Sequence, residues 1–429
     1  MMTQTQPCFS AAPSAVAGEV LLVTNNFPPV RGGSAVVYEN LARFAAGRLA
    51  ILAPSLHYTD GLPMVGWREH DRRAAYRVVR LPLLRTIIRH IQRDGPFAEI
   101  CFWLSDLAIR FRLLATLLRL VLAKRPHAIC IGELLASRWL IAVLHRLRIA
   151  RTVVYVHGEE ITTDDPYDPG HHRARKALLT TDRIVVVSRF TFNAVRQLIG
   201  PDAAQKIRLV ENGVDTSRFR SQGRRPDLVD LYGMHGCFVY VSVCRLLEKK
   251  GVDNAIRAFA SFVEHYPRCR YLIVGTGPYE DNLRALAVEL AIGQQVLFAG
   301  EVSDEDLVAH YCLGDVFVMP NRELANGDTE GFGLVFLEAN SCGLPVISGR
   351  DGGSCDAVRD GENGLVVDGR SVKDIAAAMK ALYDDPALRA RISNKALEIA
   401  KTADWQSKAM AFLQLCTEPN GTAKGTRRN

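Results

Sequence analysis

Short apolar runs alternate with longer amphipathic segments along most of this chain. Runs such as 19–25 and 238–243 have the length and the β-branched content of buried strands, and a segment with helical spacing follows each of them. Strands that alternate with helices in this way build parallel sheets whose faces are covered by helices. The pattern therefore predicts an α/β fold with parallel sheets.

The other predicted elements repeat these two patterns on both sides of a polar stretch at 221–226, which predicts a linker between two domains. Further strands are predicted at 48–54, 76–81, 128–132, 152–156, 182–188, 207–210, 270–274, 296–299, 315–319 and 345–348. Helices are predicted at 34–46, 84–93, 105–124, 252–266, 281–290, 334–340 and 374–383, with another that ends at Arg148 and a last one from Trp405.

Composition narrows the class of protein. The chain has 429 residues, of which 48% are hydrophobic and 23% charged, as expected of a globular protein with large cores. Ten cysteines are scattered without a C-x-x-C pair, which is typical of thiols in a reducing cytoplasm. No apolar run approaches the roughly 20 residues of a membrane-spanning helix, and 1–17 lacks the basic start of a signal peptide. A cytoplasmic protein is predicted.

The net charge of +7 is concentrated in the first part of the chain. Residues 68–125 contain 13 Lys and Arg against 5 Asp and Glu, interleaved with large apolar residues. Such a surface suits nucleic acid or an anionic membrane, and without a recognised nucleic-acid motif the membrane is favoured. Arg85, Arg89 and Arg93 recur along one face of a predicted helix, where they would reach lipid phosphates. An ordinary solvated helix pair is the alternative.

The strongest candidate chemistry lies in the C-terminal half. The turn Gly331-Phe332-Gly333 separates Glu330 from a predicted helix that carries Glu338 about one turn beyond its start. The N–H groups at the start of that helix, at Leu334 and Val335, form an anion site because they lack acceptors within the helix. The spacing alone also fits a helix that carries two glutamates without a function.

The sequence E-G-F-G-L-V-F-L-E-A, with seven residues between its glutamates, resembles the signature of the retaining glycosyltransferases of family 4 (glycosyl transferases group 1). The resemblance implies the GT-B fold, in which two Rossmann-like domains with parallel sheets face a central cleft. It implies that Glu330 meets hydroxyl groups of the donor sugar and that Glu338 binds the nucleotide ribose. The glycine turn and the helix start would hold the diphosphate, while the rings of Phe332 and Phe336 are expected in the core.

Two further segments match the same family closely. Arg245 and Lys250 fit its R-x4-K-G pattern, which implies that they neutralise the leaving diphosphate. His157 opens H-G-E-E directly after a predicted strand and fits the pattern H-G-x-E/D, which implies a place beside the transferred sugar with Glu160 nearby on the acceptor side. Taken alone, a single histidine is as often structural.

Weaker matches extend the resemblance. Ser188 and Arg189 resemble the serine at a strand end that precedes the family's acceptor-side helix. Gly32 and Gly33 follow a predicted strand, where the family's glycine loop approaches the donor phosphate or the acceptor, although a plain turn explains them nearly as well. Val302 lies in a turn that is expected to pass the nucleobase.

Two motifs permit other chemistry. The D-x-D at 304–306 resembles a metal–nucleotide motif of other glycosyltransferases, but Ser303, three residues before Asp306, favours a helix cap. The G-T-G at 275–277 lacks the third glycine of a dinucleotide site, which argues against NAD. Neither a metal ion nor a cofactor is expected, because the nucleotide sugar is itself the substrate.

The resemblance implies an enzyme that moves a hexosyl group, with retention, from GDP-mannose or a UDP-hexose to a lipid-linked or saccharide acceptor in envelope or exopolysaccharide synthesis. It would be peripheral on the inner face of the cell membrane. A soluble acceptor, a phosphorylase or epimerase reaction, and nucleotide-sugar binding without catalysis stay open. The expected divisions are an acceptor-side domain at 18–215, a donor-binding domain at 236–400, a helix at 401–416 that crosses back, and a disordered tail at 417–429.

Overall fold

The computed structural model describes residues 20–87 and 96–418. Its framework is two parallel sheets. The strands of the first sheet are β1 (Val20–Val23), β2 (Leu49–Pro54), β3 (Val78–Leu81), β4 (Ala128–Ile131), β5 (Arg151–Val156), β6 (Arg183–Val186) and β7 (Ile207–Leu209). Those of the second sheet are β8 (Phe238–Val243), β9 (Cys269–Val274), β10 (Val296–Gly300), β11 (Val316–Met319), β12 (Val346–Gly349) and β13 (Gly364–Val367). The predicted α/β class is confirmed.

Helices connect the strands and cover both sheets. The helices of the first half are α1 (Gly33–Phe44), α2 (Trp67–Arg73), α3 (Pro96–Lys124), α4 (Arg138–Leu147), α5 (Glu159–Thr162), α6 (His172–Thr180) and α7 (Arg189–Ile199). Those of the second half are α8 (Pro226–Tyr232), α9 (Val252–Val263), α10 (Glu280–Glu289), α11 (Leu307–Tyr311), α12 (Leu334–Ser341), α13 (Ser354–Ala357), α14 (Val372–Asp384), α15 (Pro386–Thr402) and α16 (Trp405–Thr417).

The order of strands fixes where a ligand can sit. The first sheet runs β3-β2-β1-β4-β5-β6-β7, and the second runs β10-β9-β8-β11-β12-β13. The direction of winding therefore reverses between β1 and β4 in one sheet and between β8 and β11 in the other. The loops beyond the carboxyl ends of strands at such a reversal form the crevice that binds ligands in open α/β sheets.

The last helix joins the two halves. α16 packs on α1 of the first half, the Arg151 guanidinium donates to the Cys416 carbonyl oxygen at 2.9 Å, and the rings of Tyr155 and Phe412 lie 5.8 Å apart. One cluster of buried apolar residues consequently runs from the first sheet through α16 into the second.

Every strand predicted from the sequence is present, but β13 was missed. It pairs with β12 at the edge of the second sheet and follows the turn D-G-E-N-G, and no strand is predicted for it from the sequence. Pairing with β12 stabilises this segment as a strand, although its own sequence does not predict one.

The prediction of a helix over 84–93 is wrong where the structure describes it. Leu84 is buried, Arg85 stacks on the ring of Tyr58 at 5.1 Å, and the Thr86 hydroxyl donates to Asp106 at 2.6 Å. These contacts hold 84–87 in a non-helical path. Arg89 and Arg93 lie outside the described residues, as do the predicted leader at 1–17 and the tail from residue 419.

α3 begins nine residues before the predicted start, at Pro96, a residue that fits the first turn of a helix. The sequence concealed this half of the helix because it has no consistent buried face. None of the helices within 20–87 and 96–418 is both long enough and apolar enough to cross a membrane.

Candidate active site

A buried ion pair lies beyond the carboxyl ends of β8 and β11. Lys250 closes the short helical turn after β8, Glu330 precedes α12, and the ammonium group donates to the carboxylate. Burial acts to lower the pKa of Lys250, but the charge of Glu330 outweighs it and the pKa is raised. Burial acts to raise the pKa of Glu330, yet the neighbouring Lys250 holds it below its usual value. Both groups are therefore charged at neutral pH.

The glycine turn brings the two halves of the molecule into backbone contact. A Cβ on Gly331 would lie 2.1 Å from the carbonyl oxygen of His157, so no larger residue fits there. Gly333 has a φ of +85° and faces the Phe336 ring, which a Cβ would approach to 2.5 Å. Phe332 and Phe336 are buried, as expected. The turn thus places the start of α12 against the end of β5.

The start of α12 is open to an anion. In the described chain, the N–H groups of Leu334 and Val335 have no hydrogen-bond acceptor, because both residues lie in the first turn of α12. Such groups, at the positive end of a helix, favour a phosphate. Arg245 lies on the neighbouring loop after β8, is exposed, and forms no ion pair with any residue of 20–87 or 96–418. An unpaired cation and free N–H groups therefore border the same crevice.

Glu338 lies one turn beyond this start and is held by a tyrosine. The Tyr311 hydroxyl donates to the Glu338 carboxylate at 2.7 Å. Burial raises the pKa of Glu338, while this hydrogen bond and the nearby Arg218 act in the opposite direction. Tyr311 was not identified from the sequence. Only its position in the short helix after the D-x-D motif could have indicated that it lies near the site.

The D-x-D motif forms a cap, as favoured. The Ser303 hydroxyl accepts from the N–H of Asp306 at 3.1 Å, and Arg225 binds the Asp306 carboxylate. Arg218 donates to the carbonyl oxygen of Asp304 at 2.9 Å. Among the residues that the structure describes, no group of three or more His, Cys, Asp and Glu side chains could hold a metal ion.

His157 follows β5 and faces the glycine turn. Its Nε2 lies 2.8 Å from the hydroxyl oxygen of Tyr38, and burial lowers its pKa to about 4. The Glu160 carboxylate accepts from the backbone N–H groups of His157 and Gly158 at 3.2 and 2.9 Å. Burial raises the pKa of Glu160 to about 7. Glu160 therefore shapes the backbone that presents His157.

Ser188 and Arg189 mark a second contact between the two halves. The Ser188 hydroxyl is buried and caps α7 by accepting from Thr191 N–H at 3.0 Å. The N–H of Arg189 donates to Asp356, in α13, at 2.7 Å. Both residues border the cleft, but the Ser188 hydroxyl is committed to the helix cap.

The two glycines predicted in the first loop lie at the start of α1, where they are exposed and a Cβ on Gly32 or Gly33 would meet no atom within 4 Å. Their neighbour Arg31 forms an ion pair with Glu301, the residue before Val302. The structure therefore places this loop opposite the turn that contains Val302.

Two other supporting residues were missed because each acts through a distant partner. The Glu133 carboxylate accepts from the backbone N–H groups of Asn25 and Asn26, and so fixes the loop after β1. Lys249 is buried and lies 2.6 Å from Asp328, just before the glycine turn. A lone glutamate after a strand and a lysine in a basic run gave no local signal of these roles.

Comparison with known proteins places this site in a class. Residues 31–218 match Glycosyltransferase Family 4, and residues 235–398 match Glycosyl transferases group 1. The GDP-mannose-dependent alpha-(1-6)-phosphatidylinositol monomannoside mannosyltransferase of Mycobacterium tuberculosis is 33% identical over 375 residues, which cover 85% of this chain and 89% of that protein. A D-inositol 3-phosphate glycosyltransferase of Acidothermus cellulolyticus is 33% identical over 298 residues, or 66% of this chain and 63% of that protein.

Solved structures share the architecture. HepE of Anabaena, crystallised with UDP and glucose, superposes with a TM-score of 0.72 at 18% identity and covers 94% of this chain and 100% of its own. Sucrose-phosphate synthase of Thermosynechococcus elongatus has a TM-score of 0.71 at 20% identity and covers 92% of this chain and 97% of its own. The fold is therefore GT-B, and the protein is a glycosyltransferase, with a nucleotide-sugar donor and a glycosyl acceptor. The chain belongs to glycosyltransferase family 4, as the sequence motifs predicted.

Proposed function

We propose that this enzyme transfers a mannosyl group, with retention, from GDP-mannose to a lipid-linked acceptor, working at the inner face of the cell membrane. The mycobacterial relatives, GDP-mannose-dependent by name and aligned over most of their length, support the donor and the lipid acceptor. The observation that carries the proposal is the Lys250–Glu330 pair beside the open helix start.

The proposed chemistry follows from the charges at this place. As the bond to the sugar breaks, negative charge develops on the leaving diphosphate. Lys250 and the free N–H groups at the start of α12 are fixed in position before that charge appears, which makes their stabilisation of it effective. The exposed Arg245 adds a further positive charge. Glu330 would orient sugar hydroxyl groups, and Glu338 the ribose. Retention by attack on the same face is proposed on the family resemblance.

Donor binding and metal dependence give the direct test. In a thermal-shift screen of GDP-mannose, UDP-glucose and an ADP-sugar, GDP-mannose should raise the Tm most, because the ligand that binds most tightly stabilises the folded state most. A ligand at 100 times its Kd contributes about 2.7 kcal/mol. Transfer should survive EDTA, since the Asp304 and Asp306 carboxylates form ion pairs with Arg218 and Arg225. A larger shift with UDP-glucose would identify UDP-glucose as the donor instead. Strict dependence on Mn²⁺ or Mg²⁺ would indicate that the D-x-D motif is a metal site.

An apolar stripe on α3 supports the membrane acceptor. Its first half turns large apolar side chains to solvent every three or four residues: Phe97, Ile100, Trp103, Leu104, Leu107 and Phe111, called here the α3 stripe. Phe97, Trp103 and Phe111 are 78%, 59% and 73% exposed. A continuous exposed apolar face is unfavourable in water and typical of a surface that binds a partner or a membrane.

The α3 stripe, rather than the arginines of 68–125, is the main membrane contact that we propose. At least four basic side chains in the described part of 68–125 are neutralised by carboxylates of the same domain: Arg72, Arg73, Arg80 and Arg110. Arg112 and Arg119 are exposed on α3 and remain suitable for lipid phosphates. We therefore propose that the α3 stripe enters the interface while these arginines attract the anionic surface.

Replacing Trp103, Leu107 and Phe111 together with glutamine should abolish sedimentation with vesicles of phosphatidylinositol and phosphatidylcholine. Each buried apolar side chain contributes on the order of 1 kcal/mol to such binding. Donor binding, measured by thermal shift, should not change. Val288→Gln, at a comparably exposed position on α10, is the matched control and should sediment normally.

The outcome for the unchanged protein decides between two acceptors. Failure to bind these vesicles at low salt would remove the membrane part of the proposal. A soluble acceptor is the second candidate, which the D-inositol 3-phosphate glycosyltransferases among the relatives favour. Transfer to soluble D-inositol 3-phosphate, measured beside transfer to a phosphatidylinositol mannoside, would then identify it.

A further inference from the structure

A single buried hydroxyl group, that of Tyr38, contacts the imidazole ring of His157. Tyr38 lies in α1 and is fully buried. Its oxygen is 2.8 Å from His157 Nε2 and also within hydrogen-bonding distance of the Gly132 carbonyl oxygen. The rings of Tyr38 and His157 meet edge to face, with centroids 5.2 Å apart. The phenol oxygen therefore lies between a carbonyl and an imidazole.

The proton of Tyr38 can serve only one of these neighbours. A carbonyl oxygen accepts and cannot donate, so Tyr38 must donate to Gly132, since two oxygens would otherwise face each other without a proton between them. The phenol oxygen is then the acceptor for His157, whose Nε2 must carry a hydrogen. A neutral imidazole has one N–H group, so Nδ1 keeps a free lone pair.

The close packing around Gly132 preserves this arrangement. A Cβ on Gly132 would lie 2.9 Å from both Cζ and the hydroxyl oxygen of Tyr38, so the hydroxyl reaches the carbonyl only because the residue is glycine. Burial lowers the pKa of His157 to about 4, which keeps the ring neutral at physiological pH. Within 20–87 and 96–418, Nδ1 has no hydrogen-bond partner, and it is not among the fully buried polar atoms.

We propose that Tyr38 is a positioning residue, which fixes His157 as the Nε2–H tautomer so that Nδ1 accepts a hydrogen bond from a hydroxyl group of the transferred sugar. The place of His157 beside that sugar rests on the proposed function, whereas the tautomer rests on the geometry alone. An acceptor here selects a sugar that offers a hydroxyl group and disfavours one that offers a carboxylate, because two acceptors repel.

Nitrogen NMR of the protein labelled with ¹⁵N-histidine tests the tautomer directly. The His157 signals are assigned by their loss in His157→Gln. At neutral pH, Nδ1 should show the shift of an unprotonated nitrogen and Nε2 that of a protonated one. In Tyr38→Phe the two tautomers should mix. A protonated Nδ1 in the unchanged protein, whether as the other tautomer or as the charged ring, would overturn the proposal without any variant having to fold.

Tyr155→Phe is the matched control. Tyr155 also packs on His157, with ring centroids 5.1 Å apart, but its buried hydroxyl has no hydrogen-bond partner within the described ranges. Removing that hydroxyl should leave the His157 signals unchanged. A shift in the Tyr155→Phe spectrum equal to that in Tyr38→Phe would show that the ring contacts, rather than the Tyr38 hydroxyl, set the tautomer.

Kinetics connects the tautomer to the reaction. Tyr38→Phe should lower kcat/KM for mannosyl transfer from GDP-mannose by about tenfold, the effect of roughly one hydrogen bond. In a His157→Gln background the same change should have no further effect, because Tyr38 acts through His157. Independent, multiplying losses would contradict that route. The expected NMR spectrum from a protein that transfers no sugar would reject the proposed function and leave the tautomer standing.

Discussion

Replacing Lys250 with methionine should lower kcat for glycosyl transfer by a factor of about 10²–10³, the usual cost of removing one preorganised group that stabilises developing charge. Methionine keeps much of the length of the side chain and removes its charge. In the variant, Lys250 no longer opposes the effect of burial, so the pKa of Glu330 should rise, and as the pH is lowered the residual activity should fall at a higher pH than the activity of the unchanged enzyme does. Steady-state kinetics across pH measures both effects.

The companion variants separate the charge of Lys250 from its structural role. Arg245→Ala should cost less than Lys250→Met, because Arg245 is exposed. The double variant should lose less than the product of the two single losses, since both cations act on one diphosphate. The double variant Glu330→Gln/Lys250→Met removes both buried charges. Its Tm should therefore be higher than that of Lys250→Met, while its kcat should stay low. Independent effects of Arg245 and Lys250 on kcat/KM would argue against a shared site.

Exchanging each of the two glutamates for glutamine should separate the two donor contacts. Glu338→Gln should weaken GDP binding by roughly tenfold to a hundredfold, the cost of losing a charged hydrogen bond. Glu330→Gln should leave GDP affinity nearly unchanged and lower kcat by about 10², because a sugar that is not oriented reacts slowly. Calorimetric titration with GDP and initial rates with GDP-mannose give the two quantities.

Tyr311→Phe provides a matched control for the second contact. It removes the hydroxyl that donates to Glu338 and leaves the carboxylate in place. GDP affinity should fall less than in Glu338→Gln, and kcat should change little. Equal loss of GDP affinity in Glu330→Gln and Glu338→Gln would mean that the seven residues between the glutamates do not divide sugar from ribose.

The sequence by itself determined every strand except β13, the class of fold and the family. Runs of β-branched and apolar residues form strands wherever they lie in an α/β chain, because they are buried on both faces. The turn Gly331-Phe332-Gly333 was also readable, since glycine at Gly333 permits a φ of +85° that other residues rarely adopt. These features depend on near neighbours along the chain, and so do the motifs built on them.

The order of the strands decided the rest of the site. Lys250 and Glu330 are 80 residues apart, and Tyr38 and His157 are 119 apart. No local pattern announces such pairs, because they exist only after the loops beyond neighbouring strands have been brought to one edge. The charges of Lys250 and Glu330 follow from their pairing, and the tautomer of His157 follows from its contact with Tyr38. Both are properties of the folded molecule.

Tertiary contacts also overruled local propensity on the surface of the first domain. The segment 84–87 has helical spacing but is held out of a helix by Asp106 and Tyr58. The first half of α3 lacks a buried face, yet it is helical and exposes Phe97 and Trp103. Periodicity records which face of a segment is apolar, whereas packing decides whether that face is covered. Only the tertiary structure could therefore show that this apolar surface was left open.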